Sequence, residues 1–255
     1  MTELLPQYIL YDLEFYAYRF AAGNSQDVEF PGSWWIHTCN HKDALLDFIE
    51  HTEGLLAKFP GHDLFLARGD KRNFRHDIWA EYKANRKDRR RPPGYGEFIQ
   101  GVTDYSKTRG WPTGGFKGVE GDDVLGILNE PGSIIVSGDK DMLTLPGQHL
   151  RDGELIEVTK SQADAAFYKQ ALTGDSSDNY PGCVGIGDKN KLFRSKEWLT
   201  ADSDAEYWAQ VLHQYERAGF DELYAITQAR CARILRVGEF DLAAGTPHMW
   251  NPPVI

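Results

Sequence analysis

Three short apolar runs rich in strand-forming residues each give way to a carboxylate: Tyr8-Ile9-Leu10-Tyr11 before Asp12, Leu64-Phe65-Leu66-Ala67 before Asp70, and Ile134-Ile135-Val136 before Asp139. Near-continuous apolar runs of this length suit strands of a parallel sheet covered on both faces. Between them the pattern predicts helices over residues 13–22, 42–58, 94–109 and 121–129, the alternation expected of an α/β fold with a mostly parallel sheet flanked by helices. In such sheets a site forms at the carboxyl ends of the strands, which is where all three acids fall. Beyond about residue 160 strand signals thin and helical patterns take over at 161–173, 205–218 and 221–236. The Gly-rich stretch 174–187, with Pro181 in its middle, reads as loop and short turns between the first two. The expected organisation is an α/β domain over 1–160 and a smaller helical module over 161–255 packed against it.

With 255 residues, 41% hydrophobic and 13% aromatic, the chain can bury a substantial core in this arrangement. No run of about 18 apolar residues is available to span a bilayer, so a soluble protein with no membrane partner is expected. The N-terminal residues lack the basic, apolar and small-residue order of an export leader. Cys39, Cys183 and Cys231 lack the paired spacing of a zinc site or a disulfide framework, which suits a reducing cytoplasm. The net charge of -10 argues against a phosphate-rich partner, but the charge is segregated. From Arg68 to Arg91 there are ten Lys or Arg against four Asp or Glu, a local balance of +6.

The acids gather in five short clusters: Asp12; Asp70; Glu120, Asp122 and Asp123; Asp139 and Asp141; Asp175 and Asp178. Each cluster alone has an ordinary explanation. Acids in the first turn of a helix complement its dipole, and an aspartate after a strand is commonly a turn residue. The fold pattern, however, brings at least four clusters to one sheet edge, where their repulsion would be severe without cations. Oxygen-only ligands, with no His or Cys cluster, point to Mg2+ or Mn2+ held partly through water. A pair of such ions about 4 Å apart would support in-line hydrolysis of a phosphodiester. A structural Ca2+ site is the competing reading, although the acids lack EF-hand spacing.

The basic strip starts beside Asp70. Lys83 and Arg86, three residues apart, would share a helical face and reach a scissile phosphate, while Tyr82 offers a ring for a terminal base. The alternative is that Phe74 and Tyr82 pack inward and the cations only solvate the strip. In the glycine-rich stretch, the Gly185-Ile186-Gly187 turn can bring backbone N–H groups close to a phosphate with Lys189 nearby, directly after Asp175 and Asp178.

These residues together resemble a known family. Ala17-Tyr18-Arg19 after Asp12, Phe74-Arg75 before Tyr82-Lys83-Ala84-Asn85-Arg86, Glu120-Gly121-Asp122-Asp123, Ser137-Gly138-Asp139-Lys140-Asp141, and Leu172-Thr173-Gly174-Asp175-Ser176-Ser177-Asp178-Asn179 followed by the glycine turn match the 5′-nuclease superfamily in order and spacing. That superfamily includes flap endonucleases and the 5′-nuclease domains of bacterial DNA polymerase I. Pro92-Pro93-Gly94-Tyr95, Ala232-Arg233-Ile234-Leu235-Arg236 and Trp250 extend the likeness to the gene-6-type exonucleases of podoviruses.

The resemblance implies a PIN-like α/β domain, a helix-hairpin-helix-type module, and 5′→3′ hydrolysis of duplex DNA and of RNA primers in RNA–DNA hybrids. Asp12, Asp70, Glu120, Asp122, Asp123, Asp139, Asp141, Asp175 and Asp178 take the metal-site positions for two Mg2+ ions, with Mn2+ as a substitute. Lys83 and Arg86 take the positions of the phosphate-directed cations. Arg19, Phe74, Arg75, Tyr82, Gly185, Gly187 and Lys189 take DNA-contacting positions, and a K+ ion at the glycine turn is also implied. Phage replication proteins, among them a single-stranded-DNA-binding protein, are the implied partners, and the infected host's cytoplasm the implied location. Two departures stand out: Leu13 replaces the usual glycine after the first aspartate, and the helical module is short after Lys189; a long helical arch is not evident either, since only about 25 residues lie between Asp70 and Tyr95. A structure-specific flap endonuclease, a catalytically silent DNA-binding accessory and a PIN-type ribonuclease are the alternatives.

Overall fold

The computed structural model describes residues 7–32, 34–86 and 90–254. The chain opens with β1 (Tyr8–Asp12), α1 (Leu13–Gly23), the hairpin β2 (Ser25–Phe30) and β3 (Trp34–Cys39), and α2 (His41–Lys58). Next come β4 (Asp63–Ala67), α3 (Arg75–Ile78), α4 (Tyr95–Arg109), β5 (Thr113–Gly114), α5 (Gly121–Ile127), β6 (Ile134–Val136), β7 (Gly147–Arg151) and β8 (Glu154–Val158). The remainder is mostly helical: α6 (Lys160–Thr173), α7 (Lys196–Leu199), α8 (Asp204–Arg217) and α9 (Glu222–Ala232), closed by the short strands β9 (Phe240–Asp241) and β10 (Thr246–Pro247).

One six-stranded sheet runs in the order β5-β4-β1-β6-β7-β8, parallel except for β8. Both faces of β1 are buried, as its unbroken apolar sequence requires. Ile9 and Tyr11 face a core shared with α1, α2 and α4, whereas Leu10 faces one built with Val124, Leu125 and Ile135. The helical half has its own core around Trp208, Tyr168 and Tyr215, into which Tyr82 from the basic strip inserts. In the other direction, Ile234, Leu235 and Phe240 leave the helical half to pack on the second face of the sheet.

The expected helices form within a residue or two of their predicted ends, except the last, which was expected to reach 236 and stops at Ala232. Leu13, fully buried, spends its side chain in the first core, so the departure from glycine adds packing at the end of β1. Two hairpins were not foreseen. β2 (Ser-Gln-Asp-Val-Glu-Phe) and β7 (Gly-Gln-His-Leu-Arg) are too polar to read as strands and are held by pairing with β3 and with β6 and β8. No helix among the described residues is long and apolar enough to cross a membrane.

Candidate metal centre and nucleic-acid cleft

The register of the sheet places the acids. Asp12 lies opposite Ala67 in the β1–β4 pair and Tyr11 opposite Val136 in the β1–β6 pair, so Arg68–Asp70 and Ser137–Asp141 emerge beside Asp12 at one sheet edge. β1 is also where the chain turns from building one side of the sheet to the other, and crevices form at such switch points. There a cavity of about 1150 Å3 opens, lined by Asp12, Asp70, Glu120, Asp122, Asp139, Asp141, Asp175 and Asp178. Eight of the nine predicted acids are therefore brought together.

Local structure fixes most of these carboxylates. Asp12 caps α1: its Oδ1 accepts from the Phe15 N–H at 3.0 Å and its Oδ2 from the Ser137 hydroxyl at 2.7 Å. Asp139 accepts from the Asp141 N–H at 2.9 Å, and Asp175 from the Ser177 N–H at 2.6 Å. Asp70, exposed at the rim, accepts from the N–H groups of Gly118 and Lys71, which hold its carboxyl below the usual range. Glu120 accepts from the Asn73 amide at 2.6 Å and the Tyr82 hydroxyl at 3.1 Å. Burial raises the Glu120 pKa, but Lys83 and Arg75 more than offset this, leaving it low.

The centre stores uncompensated negative charge. Burial raises Asp12 to about 6 despite its hydrogen bonds. Burial, with Asp139 and Asp175 nearby, raises Asp141 to about 7. Asp122 rises well above the carboxylate range through burial and the neighbouring Asp12 and Glu120. Such a cluster is expected where cations bind, because a hard ion removes both the desolvation and the repulsion. Among the described residues no three of these groups already close into a cage, and no His or Cys lines the cavity. An all-oxygen, loosely spaced set suits an ion that keeps several waters.

Asp123 is different. It is fully buried, and its two oxygens accept from Arg75 Nη1 and Nη2, both at 2.7 Å, and from the N–H groups of Glu120 (2.9 Å) and Leu235 (3.0 Å). All its acceptor capacity toward the cavity is spent, so the expectation that it ligates metal is corrected to a structural role. Its partner Arg75 is 2% exposed and also donates to the carbonyls of Cys231 and Arg233, which removes it from the DNA-contacting set. Tyr82, 3% exposed, gives its hydroxyl to Asp178 at 2.7 Å; its ring stacks on Tyr180 instead of on a base. Phe74 is half-buried beneath the Arg75 guanidinium. The inward-packing reading of both aromatics is the one the structure bears out.

Lys83 and Arg86 do line the cavity, but not from one helical face. Lys83 has φ 54 and only the short turn Ala84–Arg86 follows it. Lys83 is hydrogen-bonded to Glu120, and Arg86 to Asp178 and to the Ser177 carbonyl at 3.0 Å. Burial disfavours the Lys83 charge, but Glu120 and Asp178 overcome it and hold its pKa up. Arg19 lines the same cavity, as do three residues not singled out from sequence, Arg68, Arg90 and Arg91. All three were visible only as part of the charge run. Lys87–Arg89 of that run lie outside the described residues. Gly185, Gly187 and Lys189 stand apart on an exposed loop, Gly185 at φ +82. That loop is anchored by Gly174 and Gly182, both at φ +64, whose α-carbons approach so closely that a Cβ on Gly182 would sit 2.3 Å from the Gly174 nitrogen.

Residues 8–172 match the family of 5′-3′ exonucleases described by its N-terminal, resolvase-like domain. The chain is 29% identical to an exodeoxyribonuclease of Enterobacteria phage T3, over 88% of this chain and 87% of that protein. It is 28% identical to an exonuclease of Escherichia phage T7, over 88% of each. Among solved structures, the phage T5 5′-exonuclease with divalent zinc bound aligns with a TM-score of 0.58 at 18% identity, over 87% of this chain and 92% of that one. A phage T5 flap endonuclease in complex with DNA and metal ions aligns at 0.56, over 87% and 89%. At that identity the likeness is one of fold, whereas the sequence match spans well over half of the chain: it is a nuclease of the 5′-3′ exonuclease family.

Proposed function

We propose that this chain is a Mg2+-dependent 5′→3′ exodeoxyribonuclease that shortens duplex DNA from its 5′ ends, and RNA primers in RNA–DNA hybrids, during phage replication and recombination in the host cytoplasm. One observation carries this reading: eight carboxylates from five separate segments line a single cavity whose remaining wall supplies Arg19, Arg68, Lys83 and Arg86. The names of the phage relatives agree with it. Asp12, Asp122, Asp139 and Asp141 would hold ions at the strand ends, with Glu120, Asp70, Asp175 and Asp178 acting directly or through water. Two divalent ions there would supply a nucleophilic water at neutral pH and neutralise charge on the leaving oxygen.

The chain's own groups do the rest. Ser137 and the Phe15 N–H orient the Asp12 carboxylate, and the Tyr82 hydroxyl orients Glu120 and Asp178. Lys83 and Arg86, now shared with Glu120 and Asp178, are charged donors that a scissile phosphate would compete for, placing them on its non-bridging oxygens. The helical residues 161–255 would grip the duplex through the Gly185–Gly187 turn and Lys189, with backbone carbonyls of the turn open to K+. Duplex labelled at one end, incubated with Mg2+ or with EDTA, should lose label from the 5′ end only with metal. Preferential cutting of a 5′-flap substrate over blunt duplex would favour the flap endonuclease reading, and metal-independent or absent cleavage would exclude both.

A further inference from the structure

The basic strip that carries Lys83 and Arg86 is tied to the loop that carries Asp175 and Asp178 by more than ion pairs. Four consecutive carbonyls of the loop each accept a hydrogen bond from the strip: Ser176 from the Asn85 amide at 2.7 Å, Ser177 from Arg86 Nε at 3.0 Å, Asp178 from the Lys83 N–H at 2.8 Å, and Asn179 from Trp79 Nε1 at 2.9 Å. In return the Asn179 amide donates to the Glu81 carbonyl at 2.7 Å. The partners lie 91 to 100 positions apart in sequence. Each side is otherwise thinly built. The loop closes on itself through the Asp175–Tyr180 bridge, at 2.9 and 3.1 Å, and the strip through single turns such as the Ala84 N–H to the Glu81 carbonyl. Of the three non-glycine residues with positive φ among the described residues, two lie on either side of this seam, Lys83 at φ 54 and Asn179 at φ 59. Such backbone persists where its surroundings hold it in place, and it gathers where function sets the geometry.

We propose that Asn85 and Asn179 are positioning residues for the ion held by Asp175 and Asp178, a deepening that rests on the metal-dependent nuclease reading above. Neither side chain is among those lining the cavity. They clip the two backbones together from behind, Asn85 at the Ser176 carbonyl and Asn179 at the Glu81 carbonyl. With its own carbonyls turned to the strip, the loop presents the Asp175 and Asp178 carboxylates to the cavity. Asp178 shows how closely the two are joined: its carbonyl accepts from the Lys83 N–H, one carboxylate oxygen from the Tyr82 hydroxyl at 2.7 Å, and the other from Arg86. A neutral amide suits the task, because it holds a carbonyl without competing with an ion for the carboxylates. Asparagine is also one of the few residues with a side chain that accepts the left-handed backbone found at position 179. Since the same seam carries Lys83 and Arg86, the ion's carboxylates and the phosphate-directed cations keep one fixed spacing. Groups that orient metal ligands from behind typically account for about 10–100-fold in metal affinity.

The test uses the full chain and Mn2+ as probe, without DNA. Asn85→Ala removes an exposed amide, and Asn179→Gly removes the other while meeting φ 59 without strain. In calorimetric titration, Asp178→Asn marks which bound Mn2+ depends on the loop. That same ion should lose about tenfold or more in affinity in Asn85→Ala and in Asn179→Gly. Adding Asn179→Gly to Asp178→Asn should weaken it little further, since both act through one ligand. The Mg2+ concentration for half-maximal cleavage should rise by the same factor in each single variant. Excess Mg2+ should then recover most of the rate, with the DNA concentration for half-maximal rate near that of the wild type. A lowered melting temperature with Mn2+ affinity and Mg2+ requirement both unchanged would make the contact merely structural and overturn the proposal, as would equal weakening of every bound ion. Either variant suffices if the other misfolds. A wild type that binds Mn2+ without cleaving DNA would sink the nuclease reading and leave the positioning role standing; a wild type that binds no Mn2+ would overturn both.

Discussion

Replacing Asp123 by Asn separates a structural aspartate from a metal ligand in a single experiment. The carboxylate is fully buried and accepts four hydrogen bonds, two of them from Arg75, which is itself 2% exposed. Removing its charge leaves a buried guanidinium whose nearest remaining carboxylate, Glu120, is 3.7 Å away. Breaking a buried ion pair from one side costs about 3–5 kcal/mol; because Asn keeps one acceptor and Glu120 remains, the lower end, ~3 kcal/mol, is expected. With a urea slope of about 3 kcal/mol per molar, the midpoint should fall by about 1 M. Removing the stranded cation as well, in Arg75→Leu with Asp123→Asn, should cost less than the two single losses added, by at least about 1 kcal/mol. The folded fraction of Asp123→Asn should keep its Mg2+ requirement near that of the wild type. A midpoint within about 0.2 M of wild type, together with a loss of cleavage of about 10³-fold, would refute the reasoning and restore Asp123 to the ligand set.

Three further outcomes follow from the site. Asp122→Asn should lower the cleavage rate at least about 10³-fold while raising the melting temperature in EDTA, since it removes a buried, repelled charge; a metal-free protein that melts lower than wild type would contradict this. Asp12 near 6 and Asp141 near 7 bind protons more tightly folded than unfolded, so as pH rises from about 4 they reduce the stability of the metal-free protein, Asp12 up to about 6 and Asp141 up to about 7. Ions require the deprotonated groups, so the gain in melting temperature on adding Mg2+ should grow from pH 5 to 7.5. The opposite slope from His51 and His149, both lowered chiefly by burial, is common to the two conditions and cancels; a gain that shrinks over this range would be inconsistent with the site. Gly182→Ala places a methyl 2.3 Å from the Gly174 nitrogen at φ +64 and should cost about 2 kcal/mol or more, read as a lowered melting temperature; an unchanged value would show that the loop relaxes freely.

The sheet edge was readable because its strands are apolar throughout and stop at carboxylates, so Asp12, Asp70 and Asp139 could be placed without coordinates. The hairpins were not, because the pattern that defines β2 and β7 lies in their partners and not in their own residues. Asp122 and Asp123 are adjacent acids in one helical turn, and only the direction of each side chain decides that one faces the cavity and the other Arg75. The same holds for Arg75 and Tyr82. A cation and a ring in a basic strip look like a nucleic-acid surface until residues about 100 to 160 positions later cover them, as Asp178, Cys231 and Arg233 do here.

The bridge from Arg75 to the carbonyls of Cys231 and Arg233 bears on how the chain can be divided. Residues 8–172 carry the recognised family segment, yet they leave out both acceptors, the Leu235 N–H that satisfies Asp123, and the side chains of Ile234, Leu235 and Phe240 that cover one face of the sheet. A fragment cut after residue 172 would expose that face to water and leave the Arg75 guanidinium, still paired with Asp123, without its two carbonyl acceptors. Recognition by sequence and autonomy in folding therefore have different borders in this protein, and expression of its nuclease half alone should yield an aggregating product.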